Sequence, residues 1–170
     1  MINSQVTILQ QAEAYLQSVT SCQYTKIVQP LFISSAGAHM RHILDHYNAL
    51  ISGMNEQFID YDKRSRGGDI EIDPGAALAE IAKIKKFLLS LSSSQLNMPM
   101  SLSTEVSVTE KQVEIVTTTL ARELVFAGSH AIHHFAMIDQ IAKAQQSSTP
   151  EQFGIAPATA TFLRSEKCAH

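Results

Sequence analysis

The stretch that most narrows the possible folds is Gly128-Ser-His-Ala-Ile-His-His-Phe-Ala-Met-Ile138, where three of the seven histidines fall within five residues. It lies in a segment from about Thr119 to Gln145 whose apolar residues recur at helical spacing, so the histidines ride on one long amphipathic helix. Residues four apart on an α-helix stack on one face, about 40° apart around the axis. His130 and His134 therefore point the same way and can chelate one metal ion. His133 lies about 60° to the other side of His130, as a third ligand or a neighbour. A chelating pair needs further ligands from elsewhere in the chain. The other dense cluster is His39-Met-Arg-His42-Ile-Leu-Asp-His46, also on a helical pattern, with its three histidines inside an arc of about 60°. They border the apolar stripe of Met40, Ile43, Leu44, Tyr47, Leu50 and Ile51. Position around the wheel alone leaves open which of the three is a ligand, although His39 and His46 lie nearer the stripe than His42.

The remaining chain supplies helices to pack against. Val6, Leu9, Leu16 and Val19 predict a first helix over about Ser4 to Tyr24, with Ser4 as its N-cap. Ser34 or Ser35 can cap the second, which runs to about Ser52 with Gly53 just past its end. Met54 to Tyr61 reads as a continuation of that helix after a kink. Polar, glycine-rich Asp62 to Asp69 is a loop. Asp73-Pro74 starts a third helix, an N-cap aspartate followed by proline at the first helical position, and Ser92 to Ser94 ends it near Leu91. From Met98 to Thr118 the apolar period changes to two, predicting a β-hairpin around the Thr109-Glu-Lys-Gln112 turn. After the long histidine-bearing helix and a break at Ser147 to Pro150, the tail reads as a turn and one short helix. The Phe153-Gly-Ile-Ala-Pro157 turn has the rigidity of a structural piece and takes no catalytic role. The reading is one all-α domain over residues 1–170, a four-helix bundle with an inserted β-hairpin and a short C-terminal helix.

Composition excludes several classes. Charged residues are 17% and hydrophobic residues 45%, a globular balance, and a formal net charge of −3 argues against a basic nucleic-acid surface. No apolar run reaches membrane-spanning length, and the N-terminus lacks the regions of a signal peptide. Cys22 and Cys168 read as free, inert thiols in a reducing compartment, so the expected location is the cytoplasm. The Lys63-Arg64-Ser-Arg66 run can recognise carboxylates, but the flanking Asp60, Asp62 and Asp69 favour a solvated loop. Glu123, seven residues before His130 and on the same helical face, reads as a solvated or salt-bridged surface side chain.

The motif Ser35-Ala-Gly-Ala-His-Met-Arg-His42-Ile-Leu-Asp45-His-Tyr, followed by His130-Ala-Ile-His-His134-Phe-Ala-Met-Ile, resembles the DinB-like family. These are metal-binding four-helix bundles named for a DNA-damage-inducible member. The resemblance implies three histidine ligands to one divalent ion: His42 from the second helix, with Asp45 as its acidic companion, and the pair His130 and His134. His133 then matches a family histidine that is usually not a ligand. The chain departs from the family pattern at Phe135-Ala-Met137, where Arg-Gly-Gln is frequent, and in its inserted hairpin. The resemblance also implies a homodimer and, as substrate, a small molecule, with a low-molecular-weight thiol as the partner in characterised relatives.

Three histidines leave a coordination position open, as catalytic metals require. Imidazoles suit zinc or nickel first, with iron(II) and cobalt also in range. The expected chemistry is activation of a thiol or water, as in a thiol S-transferase or a hydrolase. Asp45, His46 and His133 are the candidates to orient ligands or move a proton. The competing reading is a non-catalytic metal-binding or stress-response protein whose fourth position is closed by a side chain such as His46 or His133. A third reading is a bundle that binds no metal.

Overall fold

The computed structural model describes residues 1–63 and 67–167, with side chains through residue 165. Four long helices dominate it: α1 (Ile2–Ser18), α3 (Ala36–Gly53), α5 (Pro74–Ser90) and α7 (Leu120–Ala144). Short helices α2 (Ser21–Thr25), α4 (Asp69–Ile72) and α6 (Ser93–Leu96) lie in the connections, and α8 (Pro157–Lys167) is the tail. Packing runs in a ring, with α1 against α5 and α7, and α3 against the same two. The fold is a four-helix bundle.

Local chemistry sets the helix starts. Ser35 Oγ accepts the Ala38 N–H at 3.1 Å, which selects Ser35 over Ser34 as the cap of α3. Asp73 Oδ1 accepts the Gly75 N–H at 2.8 Å, with Pro74 opening α5. Thr119 caps α7 through the Arg122 N–H. Several helix expectations change. The first helix begins at Ile2, with Met1 rather than Ser4 as its N-cap. The first helix stops at Ser18 instead of reaching Tyr24, because Thr20 and Gln23 form a reciprocal capping box that starts α2. Ser92 likewise boxes with Gln95, so the serine run that ends α5 also begins α6.

The expected hairpin is present as β2 (Pro99–Glu105) and β3 (Val113–Thr119), antiparallel from Pro99 opposite Thr119 to Glu105 opposite Val113. The reading of Met54 to Tyr61 as continued helix is wrong. Gln57 takes a left-handed conformation at φ 53°, and Phe58–Asp60 becomes strand β1, parallel to β2 with Ile59 opposite Leu102. The local pattern was ambiguous. Pairing with a strand some forty residues later decides it, through the fully buried Ile59.

Inside the ring, Leu9, Met40, Leu44, Ile84, Leu88, Leu124, Phe135 and Ile138 are completely buried, each contributing about 1.5–3 kcal/mol of transfer free energy. Tyr47 spans the bundle and donates its hydroxyl to Gln5 Oε1 of α1 at 2.9 Å. The Phe153 turn is structural, as expected: its ring stacks 4.7 Å from Phe135 and 5.4 Å from Tyr15. No helix among the described residues is long and apolar enough to cross a membrane.

Close approach is required at Gly37, in the first turn of α3. A Cβ there would fall on the Glu71 carbonyl oxygen and lie 2.9 Å from the Tyr24 ring. A helical Gly→Ala change ordinarily gains about 1 kcal/mol. At this position we expect Gly37→Ala to lose about 1–3 kcal/mol by overpacking, read as a lower urea midpoint at unchanged m-value.

Candidate metal centre

Helices α3 and α7 meet along an antiparallel seam, so rising residue numbers on one face falling numbers on the other, and the contacts form a ladder of rings. At one end His39 and His134 bring their Nδ1 atoms to 2.8 Å. Next along, His42 Nε2 lies 2.9 Å from His130 Nε2, and His134 Nε2 lies 3.1 Å from that same His130 atom. Further along, the His46 ring is 4.6 Å from His42 and 4.4 Å from His130, centre to centre. Phe126 then stacks on His130 at 5.7 Å and Tyr61 on His46 at 4.9 Å.

The helical repeat produces this ladder. Steps of three and four residues keep His39, His42 and His46 on one face of α3, and the four-residue step does the same for His130 and His134 on α7. Ring nitrogens of His42, His46 and His130 lie within 4.8 Å of one another, a group that can hold a metal ion. His42, His130 and His134 are half-buried, and His46 is buried at 6% exposure.

The donor chemistry fits a cation. A single proton on His130 Nε2 serves only one of its two short imidazole contacts. A shared ion accepts several lone pairs at once. Burial, followed by the fields of His130, His42, His39 and His133, lowers the His134 pKa to about 3, so its ring is the neutral ligand form near pH 7. Burial and then His133 also lower the pKa of His39. His46 Nδ1 donates to the His42 carbonyl oxygen at 2.9 Å, which fixes the tautomer and leaves the lone pair on Nε2.

Two other expected site residues lie apart from this cluster of nitrogens. His133 is exposed, its ring 5.2 Å from that of His134, at the solvent rim. The carboxylate of Asp45 pairs with Arg41 Nη1 at 2.8 Å, and Arg41 Nε lies 2.9 Å from Glu71 Oε2. Asp45 also lines a groove of about 610 Å³ with Asn48, Ser52, Glu56, Asp60 and Lys63, to which no histidine contributes. Of the basic loop, Lys63 is exposed and 3.9 Å from Asp60; Arg64, Ser65 and Arg66 lie outside the described residues. Cys22 is an exposed free thiol, and Cys168 also lies outside the described residues.

Sequence reasoning missed the support beneath the ladder. Glu123 is salt-bridged, to Arg122 at 2.8 Å, but it is completely buried rather than on the surface. It also accepts the Tyr61 hydroxyl at 2.7 Å and the Thr118 hydroxyl at 2.6 Å. Burial, then the hydrogen bond to Glu123, push the Tyr61 pKa upward, so the phenol remains a proton donor. Glu123 thereby holds Tyr61, and Tyr61 backs His46. The seven-residue spacing to His130 placed Glu123 on the right face; its partners, from β3 and the end of β1, were not visible in a helical wheel.

No family model matches this chain. FK506-binding protein 5 of Rhizopus delemar is 33% identical over 108 residues, 64% of this chain and 28% of that protein, so the chain spans little more than a quarter of the curated relative it matches. Among solved structures, YfiT of Bacillus subtilis, a probable metal-dependent hydrolase with an unusual four-helix bundle topology, superposes with a TM-score of 0.55. The match covers 86% of this chain and 89% of YfiT, at 19% identity. The chain has a YfiT-type fold.

Removing the Glu123 carboxylate strands the buried Tyr61 hydroxyl and the half-buried Thr118 hydroxyl. Glu123→Ala should cost about 2–4 kcal/mol of unfolding free energy, whereas Glu110→Ala, at an exposed turn, should stay within about 0.5 kcal/mol of the parent. Urea unfolding of the two variants beside the parent makes the comparison.

Proposed function

We propose that this chain is a divalent-metal-dependent enzyme of the DinB-like family, acting on a small molecule. His42, His130 and His134 hold the ion, zinc or nickel foremost. The observation that carries the reading is the approach of three Nε2 atoms from two helices, at 2.9 and 3.1 Å, on a half-buried face that solvent reaches. When bound, a divalent ion lowers the pKa of a coordinated thiol or water and so supplies a nucleophile near neutral pH. The thiol S-transferase form rests on the family resemblance. The hydrolytic form has the support of YfiT, itself a probable metal-dependent hydrolase.

The chain's own residues have separable roles in this proposal. His39 fixes the orientation of the His134 ring through the Nδ1 contact. His46 fixes α3 locally by donating from Nδ1 to the His42 carbonyl. His133, exposed at the rim, exchanges a proton between substrate and solvent. Asp45 orders Arg41 beside the neighbouring groove, where a polar substrate would find charge of both signs. A non-catalytic metal-binding protein is the second reading, favoured by one observation: the buried His46 stands within reach of the same point and can close the site.

Elemental analysis of untagged protein, beside the His130→Ala/His134→Ala double variant, tests the proposal. We expect about one zinc, nickel or iron per parent chain and none in the variant. Chelation should lower the melting temperature of the parent alone. The metal-loaded parent, but not the variant, should then consume a model electrophile with a small thiol or hydrolyse an activated ester. Absence of metal from the parent after loading with excess zinc or nickel would refute the reading.

A further inference from the structure

We infer that Arg122 recognises a carboxylate on the small molecule taken up at the histidine cluster, with Phe126 as an apolar floor between the two. The inference rests on the metal-binding reading above and specifies the chemical class of the substrate: an acid whose carboxylate is joined to its reacting group by an apolar spacer.

The placement comes from α7 itself. Arg122, Phe126, His130 and His134 follow one another at four-residue steps, so one stripe of the helix carries all four. The guanidinium carbon of Arg122 lies 5.4 Å from the centre of the Phe126 ring. That ring lies 5.7 Å from His130, its plane turned by only 16°, and 5.4 Å from Tyr61. Phe126 is half-buried, so part of its face meets solvent in the interval. Eight residues of helix rise about 12 Å, which puts the cation within the length of a small molecule from His130.

The guanidinium is fixed and still open. Its Nη1 donates to Glu123 Oε1 at 2.8 Å, and Glu123 is completely buried, held by the Tyr61 and Thr118 hydroxyls. The Arg122 side chain is nevertheless 62% exposed. A guanidinium carries five N–H donors in one plane, and among the described residues no other side-chain acceptor meets this one. Donors therefore remain for a forked bond to a carboxylate, which pairs with a guanidinium through two parallel contacts. The other cations near the histidines are placed differently. Arg41 is 14% exposed and lies between the carboxylates of Asp45 and Glu71, and Lys63 stands beside Asp60. One guanidinium already beside a buried carboxylate suits a single negative charge, hence a carboxylate before a phosphate dianion.

A thiol bound to the cobalt(II)-loaded full chain gives a sulfur-to-cobalt charge-transfer band, so affinity is read without turnover. The probes are ω-mercaptohexanoate, the uncharged ω-mercaptohexanol of the same length, and ω-mercaptopropionate, whose carboxylate is too close to sulfur to reach Arg122. We expect the hexanoate to bind about tenfold tighter than the hexanol, and Arg122→Gln to remove that advantage. The propionate, attracted by the ion but out of reach of Arg122, should bind parent and variant equally. Equal affinity of hexanoate and hexanol for the parent, or an advantage that survives in Arg122→Gln, would overturn the assignment. So would the absence of a band with every probe, because no position would then be open to the substrate. A parent chain that takes up no cobalt would refute the metal reading itself. If Arg122→Gln fails to fold by circular dichroism, the comparison of hexanoate with hexanol on the parent decides alone.

Discussion

The antiparallel seam between α3 and α7 is the contact on which the site depends. Each helix alone offers histidines at intervals that bring them to one face. Only their opposed packing interleaves those faces into a single row, with His39 at His134 and His46 at Phe126. The apolar neighbours Met40, Ile43, Leu44, Ala127, Ala131 and Ile138 are buried on the same helices, so the burial that drives bundle formation also fixes the histidines in register. A parallel arrangement that kept His42 at His130 would leave His134 about two turns from His39.

The sheet supports this seam from below. Strand β1 ends just before Tyr61, and β3 ends in Thr118 and Thr119, which lead directly into α7. Glu123 collects the hydroxyls of Tyr61 and Thr118 and so ties both strands to the first turn of the long helix. A buried carboxylate is costly unless its oxygens are well supplied with donors, and three donors supply this one. The inserted sheet is thereby coupled to the ring of His46 through a single tyrosine.

Much of this could be read from the chain itself where local chemistry was decisive. Asp73-Pro74 marks one helix start, and Ser34-Ser35 narrows another to two candidates, because a side-chain oxygen beside an unpaired backbone N–H is a short-range signal. The period-two run through Leu102 and Val113 marked the hairpin for the same reason. Strand β1 escaped because three residues carry too little periodicity, and their partner lies beyond α5. Glu123 escaped because a charged residue on a helix face is ordinarily solvated, and its burial depends on hydroxyls brought from two strands. The two histidine helices were evident from spacing. Their register required the packed bundle.

His42 and His130 are separated by 88 residues in sequence, yet their ring nitrogens are neighbours. An ion bridging them would therefore act as a reversible staple across more than half the chain. Because the unfolded chain would not keep that bridge, the ion would stabilise the fold by its binding free energy, about 2.7 kcal/mol at a free concentration one hundred times its Kd. Capture of the ion and completion of the fold then become a single equilibrium, in which the free concentration of metal sets how long the bundle stays closed.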